Sequence, residues 1–126
     1  MNIKKEVDWL LREKYNGKET PAFKKDLGRL KKGEPLDYVI GFTEFLGARI
    51  DLSKKLLIPR AETEFWVGEA IKEMKNKQPF GSAQGKILHI LDLFSGSGCI
   101  GIAMLKNVRG VLCDIADSQL ECLQQA

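Results

Sequence analysis

The stretch DLFSGSGCIG places three glycines, Gly96, Gly98 and Gly101, directly behind an apolar run. Their spacing is the G-x-G-x-x-G of dinucleotide-binding loops, in which glycine lets the backbone turn sharply and lets a ligand approach where a Cβ would collide. A helix starting there offers unpaired N–H groups and a partial positive charge to an anion. Two carboxylates change that chemistry. Asp92 stands four residues before Gly96, and Asp114 stands eighteen residues after it, near where an acidic ribose-binding residue belongs. A carboxylate at the mouth of the strand repels a pyrophosphate but suits a cation. S-adenosylmethionine carries a sulfonium and an ammonium, together with ribose hydroxyls that need acceptors, so the two acids favour a methyl donor. Taken alone, the glycines also fit a nicotinamide-dependent oxidoreductase, or a tight turn without a ligand.

The surrounding pattern shows what would position this loop. KILHILDL is a nearly continuous apolar run, expected to be a strand buried on both faces. A helix from about Cys99 to Lys106, a second strand in RGVLCDI and a helix start capped by Asp117 or Ser118 follow. The fold class expected is α/β: the opening of a Rossmann-like, doubly wound parallel sheet. Upstream, Ile3, Val7, Leu10 and Leu11 recur at helical spacing up to Asn16-Gly17, and Thr20-Pro21 opens a second helix carrying Phe23, Leu27 and Leu30 that stops at Gly33. This helical pair is too small to bury much alone. FTEFLGARIDL predicts a β-hairpin turning at Leu46-Gly47-Ala48, and Val67, Ala70, Ile71 and Met74 predict a helix after Pro59. The polar stretch with Pro79, Gly81 and Gly85 reads as a surface loop. The expected division is residues 1–40 (helical), 41–58 (hairpin linker) and 59–126 (methyltransferase-type domain).

Composition bounds the rest. The 126 residues suit one ordinary domain, and 44% apolar with 29% charged residues describe a soluble globular chain. There is no long apolar run and no signal-peptide pattern at the N-terminus, so the expected compartment is the cytoplasm, with no membrane partner. Cys99, Cys113 and Cys122 lack a C-x-x-C pair, and His89 is the one histidine, so free thiols and no metal are expected. The net charge of +3 is uneven. Residues 1–33 hold ten Lys/Arg against five Asp/Glu, leaving ten against twelve in the remainder. That reads as a solvated helical face, or as a surface for an acidic partner. Nothing has the pattern of an RNA-recognition motif, so no direct nucleic-acid binding is expected.

A longer series of motifs adds a family. GEPLDYVIG (33–41), EFLG (44–47), LLIPRAETE (56–64), ILDLFSGSGCIGIA (90–103) and CDI (113–115) resemble, in order, the HemK family of protein glutamine-N5 methyltransferases, which act on the Gly-Gly-Gln glutamine of peptide chain release factors. The family writes the corresponding segments G-E-P-x-x-Y-I-L-G, L-I-P-R-P-E-T-E and D-L-G-T-G-S-G-C-I-A. The resemblance implies that Phe94, Ser95, Gly96, Ser97 and Gly98 line the methionine and adenosyl portions of S-adenosylmethionine. It also implies that Asp114 accepts the ribose hydroxyls and that Arg60, Glu62, Thr63 and Glu64 close the pocket. For those last four, an ordinary capped helix start is the competing reading. The helical start of the chain corresponds to the family's substrate-recognition domain, shorter than usual, and a monomer with a release-factor substrate is implied.

Three departures stand out. Ala61 replaces the usual proline, Phe94 replaces the first glycine of the cofactor loop, and no Asn-Pro-Pro-Tyr is present. Phe94 also gives the D-L-F-x-G-S-G form seen in some ribosomal RNA methyltransferases. In the family the missing segment holds the amide nitrogen in line with the methyl group. The chain is therefore expected to be an N-terminal fragment, without methyl transfer of its own. A translation-factor-binding module without catalysis is the reading from a third class.

Overall fold

The computed structural model describes residues 3–77 and 87–125; the loop expected at Pro79, Gly81 and Gly85 lies outside them. The chain divides into two units, Met1–Phe42 and Thr43–Ala126.

The first unit is helical. α1 (Ile3–Tyr15) ends where Asn16 and Gly17 both take positive φ, and the Gly17 N–H bonds back to the Leu11 carbonyl at 2.9 Å. That six-residue return satisfies a carbonyl that the helix end would leave open. α2 (Pro21–Lys31) is capped as its sequence predicts: Thr20 Oγ1 accepts from Phe23 N at 3.1 Å, with Pro21 in the first turn. α3 (Leu36–Ile40) is one short turn closed by Gly41 at φ 97°. Leu10, Phe23, Leu30, Val39 and Ile40 form one core, so the helical pair is completed by a third helix that the sequence reading did not separate.

In the second unit, β1 (Phe42–Phe45) and β2 (Ala48–Asp51) form the hairpin. Its connection is two residues, Leu46 and Gly47, with φ of 48° and 76°. Positive φ at both positions marks the turn type whose twist matches the strands. α4 (Ala61–Lys77) buries Val67 and Ile71. These join Phe45, Ala48 and Ile50 of the hairpin and Ala103 and Met104 further along in a single core. The hairpin is thus built into the second unit.

β3 (Leu88–Leu93), α5 (Cys99–Asn107) and β4 (Val111–Ala116) follow, then α6 (Leu120–Gln125). β3 and β4 pair in parallel, from Leu88 opposite Val111 to Leu93 opposite Ala116. A parallel pair needs a crossover, and α5 supplies it. The chain is therefore mixed α/β, with a β-α-β unit carrying the glycine loop. The expectation that β3 is buried on both faces is corrected here. Ile90 packs against the core beside α5, whereas Leu91 is 61% and Leu93 57% exposed, so only one face is covered among the described residues. His89 lies on the exposed face. No described helix is long and apolar enough to cross a membrane.

Candidate functional site: the glycine loop between β3 and α5

Phe94 to Gly98 connect β3 to α5, and the backbone there is left-handed at Phe94 (φ 58°), Gly96 (55°) and Gly98 (74°). Gly98 occupies the cap position of α5, which has no side-chain cap. The loop N–H groups are heavily committed. Ser95 N donates to Ala116 O (3.1 Å), Gly96 N to Asp117 Oδ2 (2.9 Å), Gly98 N to Ser95 O (2.8 Å) and Gly101 N to Asp92 Oδ2 (3.0 Å). An anion-binding loop presents such groups outward to the ligand; here Ser95 N and Gly96 N bond to the end of β4 and to Asp117, Gly98 N closes a turn within the loop, and Gly101 N, in the first turn of α5, bonds to Asp92. Ser95 and Ser97 are buried, and Ser95 Oγ has no hydrogen-bond partner among the described residues.

Gly101 serves close packing. A Cβ there would lie 2.9 Å from Cys113 Sγ and 3.3 Å from Asp92 Oδ2, so α5 can approach the sheet only with glycine at this position.

Asp92 and Asp114 are placed differently. Asp92 is 5% exposed, beneath the loop, with its carboxylate turned to Gly101 N. Burial raises its pKa; the Gly101 hydrogen bond opposes this, and the nearby Asp117 charge adds to it. The carboxylate expected at the mouth of the strand is therefore turned to the backbone of the first turn of α5. Cys113 and Ile115 point toward Gly101, so Asp114 between them projects to the opposite face, where it is exposed. The structure does not bring the two together, because neighbouring strands put them on opposite faces. β4 also runs two residues past Asp114, to Ala116. The helix start expected at Asp117 or Ser118 falls at Leu120. Asp117 instead forms a side-chain turn, with Oδ1 accepting from Gln119 N at 2.9 Å. The thiols of Cys99 and Cys113 are pushed up chiefly by burial, with the Asp92 charge adding to it.

Arg60, Glu62, Thr63 and Glu64 form the start of α4, as the helix-cap reading predicts. Glu64 N bonds to Arg60 O at 3.0 Å, and the two acids lie in the first turn where the helix dipole favours them. Arg60 and Glu62 are exposed, while Thr63 and Glu64 are half-buried. Glu64 Oε1 accepts from Leu46 N at 2.8 Å, so its carboxylate is spent on the hairpin turn. A surface concavity borders Leu46, Ala61, Glu64, Phe65 and Gly68 beside it.

No family model matches the chain. Curated relatives do. A release factor glutamine methyltransferase of Borreliella burgdorferi is 31% identical over 117 residues, covering 91% of this chain and 38% of the relative. One of Thermodesulfovibrio yellowstonii is 43% identical over 79 residues, covering 63% of this chain and 26% of the relative. A bifunctional methyltransferase of Rickettsia felis is 33% identical over 144 residues, covering 94% and 27% respectively. This chain is a homologue of the release factor glutamine methyltransferases. It spans well under half the length of these relatives.

Against these homologues, the departures acquire physical content. Phe94 stands where the family pattern has glycine, and its backbone keeps the left-handed conformation that glycine adopts without strain. Its ring is 77% exposed at the rim of the loop. Ala61 is the first residue of α4, a position that proline or alanine can fill. Asp117 is the residue that sequence reasoning undervalued. Its pattern announced a helix start, and nothing local announced its bond to Gly96.

Proposed function

We propose that the β3-α5-β4 unit is the opening of a Rossmann-like domain that binds S-adenosylmethionine. As part of a longer protein it would serve methyl transfer to the side-chain amide of the Gly-Gly-Gln glutamine in peptide chain release factors. The observation that carries the cofactor reading is the commitment of the Ser95 and Gly96 N–H groups to Ala116 O and Asp117 Oδ2. A pyrophosphate needs those donors; a sulfonium nucleoside does not. What surrounds the loop is rich in acceptors, namely exposed Asp114 and the Asp117 carboxylate. The residues thus fit the methyl donor, with Phe94 to Gly98 along its methionine and adenosyl portions and Asp114 at the ribose hydroxyls. When bound, S-adenosylmethionine supplies an electrophilic methyl group. The work of this chain's own residues is to hold the loop in shape: Asp92 from beneath, Gly101 by admitting close approach, and Gly96 and Gly98 by their left-handed turns.

The names of the homologues support release factor as the substrate. The first unit, with its excess of Lys and Arg, is the proposed docking region. The 126 residues contain no Asn-Pro-Pro-Tyr, so cofactor binding without turnover is expected of them, in a cytoplasmic, monomeric protein. Calorimetric titration tests the reading: S-adenosylhomocysteine binds and NADH does not. Tight NADH binding with no response to S-adenosylhomocysteine would reverse it in favour of the oxidoreductase.

A further inference from the structure

We propose that Asp117 is a positioning residue for the cofactor loop, tying the Gly96 backbone to the end of the strand that carries Asp114; this rests on the reading of the loop as an S-adenosylmethionine site. The two sides of the site come from different strands. Phe94 to Gly98 follow β3, and Asp114 belongs to β4. Parallel pairing alone stops at Leu93 opposite Ala116, so beyond that point the loop is free to move away from β4 unless something holds it.

Two consecutive N–H groups do so. Ser95 N reaches Ala116 O, and Gly96 N reaches Asp117 Oδ2. The first bond uses a carbonyl that any sequence provides. The second needs a carboxylate at position 117. That side chain is itself fixed, because its other oxygen accepts from Gln119 N. One carboxylate thus serves two amides, one in the loop after β3 and one in the turn after β4. Gly96 takes the positive φ of this turn, 55°, without strain.

The double use provides a clean test. An asparagine at 117 has one acceptor oxygen in place of two, so it keeps either the turn to Gln119 or the bond to Gly96, but not both; alanine keeps neither. Asn is as good as Asp at forming the turn, so Asp117→Asn is expected to retain the turn and release Gly96. In the unmutated 126-residue chain, the Gly96 amide is protected from hydrogen exchange, and its proton resonance follows the titration of the Asp117 carboxylate in acid. In Asp117→Asn, Gly96 exchange speeds up by about tenfold or more while Gln119 stays protected. S-adenosylhomocysteine affinity falls about tenfold, the equivalent of one lost hydrogen bond. Asp117→Ala weakens binding at least as much and exposes both amides.

Unchanged affinity in both variants, with Gly96 exchange accelerated, overturns this inference and leaves the proposed function standing. An unmutated chain that binds no S-adenosylhomocysteine overturns the function on which it rests, and this inference with it. A Gly96 amide that is unprotected and indifferent to pH in the unmutated chain overturns the bond itself.

Discussion

Each unit of this chain buries one aspartate, and the two are treated in opposite ways. In the first unit, Asp26 is 7% exposed and accepts from Lys14 Nζ at 2.7 Å, Tyr15 Oη at 2.7 Å and Arg29 Nη1 at 2.9 Å. Burial alone would raise its pKa; the bonds from Lys14, Tyr15 and Arg29 together outweigh burial and hold it below the usual carboxylate range. Arg29 continues the network to Glu34 through two 2.8 Å contacts, and Tyr15 is pushed up to about 12 by burial and by its bond to Asp26. In the second unit, Asp92 is as deeply buried but receives the Gly101 backbone N–H and, among the described residues, no cation, and its pKa moves up. Asp26 is a finished clasp among helices. Asp92 is a buried carboxylate held by a backbone amide beneath a glycine loop.

The largest effect expected from this contrast is Asp26→Asn. It leaves Lys14 and Arg29 without their shared charge and should lose about 3 kcal/mol in urea unfolding. The loss should be seen by Trp9 in a variant that lacks Trp66. A loss under about 1 kcal/mol would reduce the clasp to a surface ion pair. Next is Gly101→Ala, which drives a methyl group onto Cys113 Sγ and crowds Asp92. It should cost about 2 kcal/mol by Trp66 fluorescence, and Cys113→Ala in the same chain should restore part of that. Full stability of the single variant would mean that α5 can withdraw from the sheet. Phe94→Gly relieves a left-handed non-glycine residue and should stabilise the second unit by about 1 kcal/mol. It also removes the ring at the rim and so weakens S-adenosylhomocysteine binding; stabilisation with tighter binding would deny the ring a role.

The smallest effect is Asp92→Asn, which keeps an acceptor for Gly101 N while removing the buried charge. It should be neutral or stabilising by less than about 1 kcal/mol. The pH dependence sharpens the same contrast. Asp26 has a folded pKa below the ordinary value of 3.8, so its contribution is complete above that value and is lost as pH falls through the folded pKa. Asp92 has a folded pKa above 3.8, so its contribution is complete below that value and is lost as pH rises through the folded pKa. Lowering pH from 6 toward 3 should therefore weaken the Asp26 clasp while relieving Asp92. Equal acid sensitivity in Asp92→Asn and the unmutated chain would remove Asp92 from the balance.

What the sequence disclosed was chiefly local. Asn16-Gly17 and Thr20-Pro21 each encode their own φ or cap, and each formed where its residues directed; the hairpin turn formed at Leu46-Gly47, with Gly47 suited to its positive φ and Leu46 held there by the strands on either side. The β-α-β unit was legible because a parallel crossover has few alternatives. α3 was hidden inside a motif: five residues between Pro35 and Gly41 are too few to show a period. The roles of Asp26, Asp92 and Asp117 were hidden for a different reason. The charge count over residues 1–33 showed an excess of cations, but not that Asp26 gathers two of them from different helices. The direction of Asp92 depends on which face of β3 receives α5, and the grip of Asp117 on Gly96 spans 21 residues. None of these follows from spacing along the chain.

The hairpin turn has a mechanical consequence. Leu46 donates its N–H to Glu64 in the first turn of α4, and its carbonyl accepts from Asn107 Nδ2 in the last residue of α5. Its side chain rests 3.3 Å from where a Cβ on Gly68 would be. Two helices are thereby riveted to one residue, so a displacement of either drags the turn, and through it the other. Leu46 thereby links the first turn of α4 to the end of α5, whose other end abuts the glycine loop.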